Sequence, residues 1–307
     1  MVLPKIEIYK TAMIFMFTNL EKALILIEQS RYKLAAIEIE RQLAINPNSS
    51  FAHALLSICL IELNRDREAT QAAKQAVYLA PDLSDTHYNL AKILYIQKQL
   101  KPAKKAVQEA IRLDPEIVDY FALLSVIQLA QGDCDRALSS AEQGLSLDAE
   151  NVLCLNLRAM ALLRLRRYQE AQTTLDAAIF QDPENPAAYA IKGWVYLYCR
   201  NRDLAERYFR ESLRLDPEQE QARTGIVEAL KLRYSFYNFV FNYRNFSRQI
   251  NIFLRIAFVS IFLVLSLFNW FFLLIPFSML LLEMVQTLFN LLLRFDTQGR
   301  SLHIPTH

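Results

Sequence analysis

A 34-residue spacing constrains this chain more than any other feature. Alanine recurs six times at that interval, and a second series twelve residues downstream is mostly proline. The alanines are Ala35, Ala69, Ala103, Ala137, Ala171 and Ala205, and the second series is Pro47, Pro81, Pro115, Ala149, Pro183 and Pro217. A period of this length is typical of stacked supersecondary units, none of which can bury its apolar face alone. Each unit is long enough for two helices and two turns. The sequence therefore predicts a series of helix pairs.

Small residues form a third register, twelve residues before the alanines. They are Ala23, Ser57, Ala91, Ser125, Ala159 and Gly193. Two helices approach to about 8–10 Å only where facing side chains permit it, so these registers predict the crossing of the two helices in each unit. The proline is expected to end the second helix, because it lacks an N–H and disfavours helical conformation in the residue before it.

The turn inside each unit has less regular chemistry. Asn64 and Gly132 tolerate left-handed backbone geometry, whereas Lys98 and Arg166 stand at equivalent positions without that tolerance. The acidic residues that follow are possible helix caps. They are Asp66, Asp133 and Asp135.

The pattern resembles the tetratricopeptide repeat (TPR) family when units begin at residues 16, 50, 84, 118, 152 and 186. The family's small residue at position 8, alanine at position 20 and proline at position 32 then coincide with the three registers. Gln42 departs from the small residue expected at position 27, and Gln128 intrudes at the large position 11. The resemblance implies an all-α fold, a right-handed superhelix (α-solenoid).

The resemblance also sets the expected domain boundaries. Residues 1–15 are a lead-in, six uninterrupted repeats fill residues 16–219, and residues 220–234 are a capping helix. The repeats are 16–49, 50–83, 84–117, 118–151, 152–185 and 186–219. The apolar run at residues 11–20 is interpreted as the first helix, and a signal anchor is the alternative.

Composition and motifs favour a non-enzymatic protein. Charged residues are 21% and the formal net charge is +2, which does not favour a nucleic-acid partner. No nucleophile, phosphate-loop or metal motif is present, so neither a cofactor nor a metal is expected. His53 and His87 share position 4 and are interpreted as core residues. Cys59, Cys134, Cys154 and Cys199 show no C-x-x-C pairing and are expected to be buried, reduced thiols.

The C-terminal part has a different character. No charged residue occurs between Arg255 and Glu283. A membrane span needs about 20 apolar residues and this stretch is longer, so residues 250–293 are predicted to enter a bilayer. Two tightly joined spans would put Glu283 near the midplane at a cost of roughly 2–4 kcal/mol. A single tilted span followed by an interfacial helix over residues 283–294 avoids that cost, and both arrangements remain open.

An aromatic and basic segment, residues 235–249, precedes the apolar run, and a polar tail, residues 294–307, follows it. Base stacking by the aromatic residues is one interpretation. The proximity of the apolar run favours an interfacial belt. The expected membrane-interface residues are Tyr237, Phe241, Tyr243, Arg244, Arg248, Trp270 and Arg294. Basic residues outside both ends of a hairpin would place both ends, and the repeats, in the cytoplasm at the inner membrane.

Residues from about 150 to 300 are also similar to bacterial membrane proteins that carry N-terminal TPR repeats and a C-terminal membrane segment. That group has no established activity. The shared features are Leu157, Arg158 and Ala159; Gly193 and Trp194; Phe209 and Arg210; Leu213 through Pro217; Ala222, Arg223 and Gly225; Glu228 through Leu230; and Asn290 through Arg294 with Asp296, Gly299 and Arg300.

The TPR resemblance implies a concave groove lined by positions 2, 5, 9, 12 and 13 of each first helix. Those positions give Asp85, Tyr88, Lys92, Tyr95, Asp119, Asn156, Met160, Arg164, Trp194 and Tyr198. Aromatic anchors beside charges suit a protein or peptide ligand. The expected function is therefore a membrane-anchored scaffold that binds proteins through this groove.

The alternative is a regulatory subunit of a membrane transport, export or envelope-assembly machine. Its activity would reside in the membrane module, and the feature that favours this is the intramembrane polar set Asn269, Glu283, Gln286 and Asn290.

Overall fold

The computed structural model describes residues 20–232 together with Ser260. Residues 20–28 belong to α1. The helices that follow are α2 (Tyr32–Ile45), α3 (Ser50–Glu62), α4 (Asp66–Leu79), α5 (Ser84–Ile96), α6 (Leu100–Leu113), α7 (Val118–Gln131), α8 (Cys134–Leu147), α9 (Val152–Arg164), α10 (Tyr168–Gln181), α11 (Pro186–Tyr198), α12 (Arg202–Leu215) and α13 (Glu220–Lys231). Within these described residues the secondary structure is helical throughout, as the sequence predicts.

The helices follow the repeat spacing closely. The first helix of each repeat, here called an A helix, begins at Ser50, Ser84, Val118, Val152 and Pro186. The second, or B, helices begin at Tyr32, Asp66, Leu100, Cys134, Tyr168 and Arg202. Both series advance by the same interval as the alanines, so each complete window contains one helix pair, as predicted.

The chain divides into two compact units, Met1–Arg167 and Tyr168–His307. The described part of the first unit contains α1–α9, and that of the second contains α10–α13. The division falls between the A and B helices of the fifth predicted repeat.

Small side chains fill the helix crossings in both units. The alanines at position 20 and the small residues at position 8 from Ala23 to Ala159 are all 0% exposed. Gly193 is also buried. The two registers therefore mark the crossings as predicted, since a larger side chain there would separate the helices.

The buried core of each unit is built around these crossings. In the first unit, Ala91, Ala103 and Val107 pack with Tyr120 and neighbouring residues of α5, α6 and α7. In the second, Phe209 packs with residues of α11 and α13. Gln128, the polar residue at a core position, is buried and accepts a hydrogen bond from the Ser140 hydroxyl at 2.8 Å, which satisfies its amide oxygen.

The turn between A and B helices is left-handed in all six repeats of the described part. The residues with positive φ are Ser30, Asn64, Lys98, Gly132, Arg166 and Arg200, which recur at the repeat interval. The predicted caps are wrong. Asp66 is the first residue of α4, Asp135 lies in the first turn of α8, and Asp133 occupies the N-cap of α8 without a side-chain cap bond. Asp133 instead pairs with Arg136 at 3.3 Å.

The turn between repeats is closed by side chains around the proline position. Asp114, Asp148, Asp182 and Asp216 each accept a hydrogen bond from the backbone N–H two residues later, at 2.9–3.2 Å. These Asx turns explain the recurring aspartate. His53 and His87 are half-buried and donate from Nε2 to the carbonyls of Pro47 and Pro81. They therefore stabilise this turn and are not simple core residues.

The cysteines do not all lie in the core. Cys59 and Cys154 are buried, Cys134 is half-buried and Cys199 is exposed. The expectation of four buried thiols is therefore wrong for Cys134 and Cys199.

The predicted C-terminal elements lie outside the described residues. These are the segments 235–249, 250–293 (except Ser260) and 294–307, with the interface residues Tyr237, Phe241, Tyr243, Arg244, Arg248, Trp270 and Arg294. The lead-in 1–15 lies outside them too. Within the described part, none of the helices combines the length and the apolar character that crossing a bilayer requires.

Candidate interaction surface

The A helices of the first unit present one stripe of side chains each. Helical periodicity places residues i, i+3, i+7 and i+11 on one side of a helix. In α3, α5, α7 and α9 these stripes are Phe51, Ala54, Ile58 and Glu62; Asp85, Tyr88, Lys92 and Ile96; Asp119, Ala122, Val126 and Ala130; and Leu153, Asn156, Met160 and Arg164. Helix α3 contacts α5, α5 contacts α7, and α7 contacts α9. We call this set of residues the A-helix face.

An aromatic pair joins α5 to α7: Tyr88 belongs to the A-helix face, and Tyr120 is buried. The rings of Tyr88 and Tyr120 lie 4.9 Å apart between centroids, tilted by 38°. The Tyr120 hydroxyl donates to Asp85 Oδ1 at 2.7 Å and lies 3.0 Å from Ser84 Oγ. Lys92 Nζ lies 5.3 Å from the centroid of the Tyr88 ring, within cation–π range.

The electrostatics of this cluster are set by burial and by two carboxylates. Burial, followed by the negative charges of Asp119 and Asp85, raises the pKa of Tyr88. Burial raises the pKa of Tyr120 to about 12. Both phenols are therefore neutral near pH 7. Asp85 and Asp119, at equivalent positions of successive repeats, both act on the Tyr88 hydroxyl.

The remaining predicted residues of the first unit have varied environments. Tyr95 is half-buried and packs against the core between α5 and α7. Asn156 is buried, so its side chain is not available on the groove surface, which corrects its assignment as a contact residue. Met160 is half-buried. Arg164 is exposed and donates from an Nη to the Leu129 carbonyl at 2.5 Å, near the C-terminal end of α7. That position suits a positive charge.

In the second unit, Trp194 and Tyr198 form part of another aromatic cluster. Their rings lie 6.0 Å apart, and Trp194 meets Phe209 edge-on at 5.6 Å. The indole N–H of Trp194 donates to the Gln221 carbonyl at 3.1 Å, which ties α11 to α13. Tyr198 stacks on Tyr168 at 6.4 Å. Much of the surface of these two predicted groove residues is therefore used within the unit.

The expected groove set lacks a residue of the first cluster and a separate charged group of the second unit. Tyr120 stands at position 3, outside the expected groove positions, although it immediately follows Asp119. In the second unit, buried Lys192 pairs with Asp176 at 2.5 Å and lies 4.7 Å from the Tyr208 ring. Asp176 lies on α10, sixteen residues before Lys192 on α11. Periodicity along a single helix cannot predict a contact between two helices.

A metal centre finds no support among the described residues. Across residues 20–232, no three His, Cys, Asp or Glu side chains are grouped so that they could hold an ion. The A-helix face carries apolar side chains, aromatic rings and a few charges.

Family models of the tetratricopeptide repeat match residues 84–117, 128–195 and 186–219. The chain contains TPR repeats. These matched stretches include α5, α6 and α8 through α12 but only the last four residues of α7, and they contain the face residues of α5 and α9. Proteins built from TPR repeats typically mediate protein–protein interaction and are generally non-catalytic.

Solved structures with this fold come from several TPR proteins. A structure of Pseudomonas aeruginosa PilF shares 21% identity and a TM-score of 0.58, covering 68% of this chain and 96% of that one. PilW, a type IV pilus biogenesis factor, shares 14% identity and a TM-score of 0.61, covering 68% and 97%. A chain from the APC/C hetero-tetramer Cut9–Hcn1 shares 16% identity and a TM-score of 0.61, covering 70% and 42%. At these identities the likeness establishes the fold alone. Among curated proteins, none matches this sequence.

Proposed function

We propose that this protein is a membrane-anchored, non-enzymatic TPR scaffold that binds a segment of another protein on its A-helix face. The supporting observation is the cluster of Asp85, Tyr88 and Lys92 on α5, which the buried Tyr120 of α7 contacts through its ring and its hydroxyl. Tyrosine offers a large contact area with few rotatable bonds, so it suits recognition. The ring pair and the hydroxyl bond to Asp85 hold this cluster in a single arrangement before a ligand arrives.

The binding proposal is tested by site-specific photo-crosslinking in cells. A photoreactive phenylalanine replaces Phe51 or Lys92, both exposed on the A-helix face, or the control residues Tyr78 and Lys105, which are exposed on B helices. We expect a discrete crosslinked protein from the first two positions and none from the controls. Equal crosslinking from all four positions would contradict binding at this face.

Membrane anchoring rests on the charge-free run between Arg255 and Glu283. We infer that residues 250–293 hold the protein at the inner membrane with the repeats in the cytoplasm. The resemblance of the C-terminal sequence to bacterial membrane proteins that carry N-terminal TPR repeats supports the anchoring. Leu263→Arg with Leu267→Arg puts two charges into this run, and each costs about 2.5–3.5 kcal/mol at a bilayer centre. Leu302→Arg in the polar tail is the control.

The measurement is the fraction of full-length protein that stays in the pellet after alkaline extraction of membranes. We expect wild type and Leu302→Arg to remain in the pellet and the double variant to be released. Release of the wild-type protein would contradict anchoring while leaving the binding proposal standing.

A further inference from the structure

The A-helix face combines an apolar centre with accessible apolar edges. Across α3, α5, α7 and α9, the third residues of the stripes are half-buried or exposed: Ile58, Lys92, Val126 and Met160. Phe51, Ile96 and Leu153 are each about half exposed, at 52%, 51% and 52%. Exposed apolar side chains at repeated positions on one face indicate contact area for a ligand.

The two cations on this face, Lys92 and Arg164, each contact a neutral group of the chain. Lys92 lies over the Tyr88 ring, and Arg164 donates to the Leu129 carbonyl. The carboxylates are Glu62, Asp85 and Asp119, all exposed. Among the described residues, no lysine or arginine forms an ion pair within 4.0 Å with any of these three.

The two aspartates act on the same tyrosine. Asp85 accepts the Tyr120 hydroxyl, the Tyr120 ring packs on Tyr88, and the negative charges of Asp119 and Asp85 both reach the Tyr88 hydroxyl. The two aspartates occupy equivalent positions of α5 and α7, with Phe51 at that position of α3 on one side and Leu153 at that position of α9 on the other. A partner needs a positive charge at this point and apolar groups to either side, because carboxylates without an ion-pair partner disfavour an acidic ligand.

Building on the proposed function, we propose that the A-helix face binds an extended protein segment in which one arginine or lysine, facing Asp85 and Asp119, is flanked by apolar residues. Adjacent packed helices are about 8–10 Å apart. The apolar residues of α3 and α9 therefore lie about 12–15 Å to either side of the carboxylates. An extended chain advances about 3.3 Å per residue, so the apolar anchors are expected about four residues before and after the basic residue.

The test uses the purified full-length chain in detergent and a displayed library of random dodecapeptides. Enriched peptides are synthesised with the central residue as arginine, glutamine or glutamate, and their affinities are measured by fluorescence anisotropy. We expect enrichment of the apolar–basic–apolar pattern, and about tenfold weaker binding when glutamine replaces arginine, equivalent to about 1.4 kcal/mol.

Charge reversal gives the matched comparison. Asp85→Lys with Asp119→Lys is expected to weaken the arginine peptide by more than tenfold and to make the glutamate peptide the tightest binder. Asp66→Lys with Asp135→Lys is the control, since all four aspartates lie in the first turn of a helix and lose the same favourable interaction with its N-terminus. The control is expected to keep the wild-type order.

The outcomes separate this inference from the proposed function. Enrichment of acidic or uncharged peptides, or affinities unaffected by the Asp85 and Asp119 reversal, overturns the basic-segment inference while the scaffold function stands. Sedimentation tests whether the chain self-associates. If it does and the same reversal abolishes the association, the face binds a second copy of the chain, and the basic-segment inference is overturned. No enrichment of any peptide, together with no crosslink from Phe51 or Lys92 in cells, overturns both.

Discussion

The turn that follows each A helix contains one residue in the left-handed conformation, and this residue is glycine in only one of the described turns. Lys98 has φ of 59° and Arg166 has φ of 63°, close to the 81° of Gly132 at the equivalent turn. A residue with a Cβ in this region costs about 1–2 kcal/mol, and the cost recurs because every repeat needs the same sharp reversal.

Replacing Lys98 by glycine is therefore expected to raise the free energy of unfolding by about 1 kcal/mol, and Gly132→Ala to lower it by about the same amount. A Cβ on Gly132 would meet no atom within 4 Å, so the loss at that site is conformational and not steric. Urea unfolding monitored by circular dichroism measures both. Lys105→Gly, inside α6, is the control and is expected to destabilise by about 1 kcal/mol. Destabilisation by Lys98→Gly would contradict the explanation.

Thiol reactivity provides a second prediction at this scale. Burial raises the pKa of Cys59 and of Cys154 to about 11, and both side chains are inaccessible. Burial also raises the pKa of Cys199, but this residue is exposed. At pH 8 we expect iodoacetamide to modify Cys199 first, with Cys59 and Cys154 protected until the protein unfolds. Mass spectrometry of peptides after timed labelling checks the order, and early labelling of Cys154 would contradict it.

At the scale of elements, a single phenylalanine determines how α11, α12 and α13 pack. Phe209 is 0% exposed on α12. A Cβ built on Gly193 of α11 would lie 2.5 Å from its Cε1, and one on Gly225 of α13 would lie 2.2 Å from the same atom. The ring occupies the space that two glycines leave open, which explains glycine at position 8 of this repeat where the other repeats have alanine or serine.

Gly225→Ala is expected to destabilise the protein by about 1–3 kcal/mol, because the ring or the α13 backbone must shift to admit a methyl group. Combining it with Phe209→Leu should cost less than the sum of the two single changes, since the smaller side chain leaves room for the added methyl. Thr224→Ala, an exposed neighbour on α13, serves as the control and should change stability little. Additive effects in the double variant would contradict the proposed contact.

At the scale of the whole molecule, contacts join helices that are close in sequence. Within the described part of the first unit, A helices of successive repeats contact each other, such as α3 with α5. A repeat protein of this kind is stabilised by its individual repeats and their nearest-neighbour interfaces, so a local change is felt locally.

Hydrogen exchange should reveal this locality. In the Gly225→Ala variant we expect faster amide exchange in α11, α12 and α13 and unchanged exchange in α2 through α4. Mass spectrometry of peptic fragments measures both regions in one sample. Equal acceleration throughout the described helices would indicate global cooperativity and contradict the nearest-neighbour description.

The sequence predicts the helix pairs well because their chemistry is local and repeated. The small residues at positions 8 and 20 and the proline position fix where helices cross and end, and the helices begin at the expected regular intervals. It predicts the caps and the histidine roles poorly. Whether Asp133 bonds to a backbone N–H or to Arg136 depends on a rotamer choice that no spacing encodes.

Periodicity along the chain is enough to predict the repeat, its register, the helical class and the residues that form a stripe on each A helix. Which of those residues are accessible depends on how the helices pack. In the folded chain Asn156 is buried, Arg164 and Trp194 form internal hydrogen bonds, and Tyr120 of α7 contacts Asp85 and Tyr88 of α5. Contacts between helices depend on packing distance and side-chain rotamers, and these are set by all the neighbouring helices together.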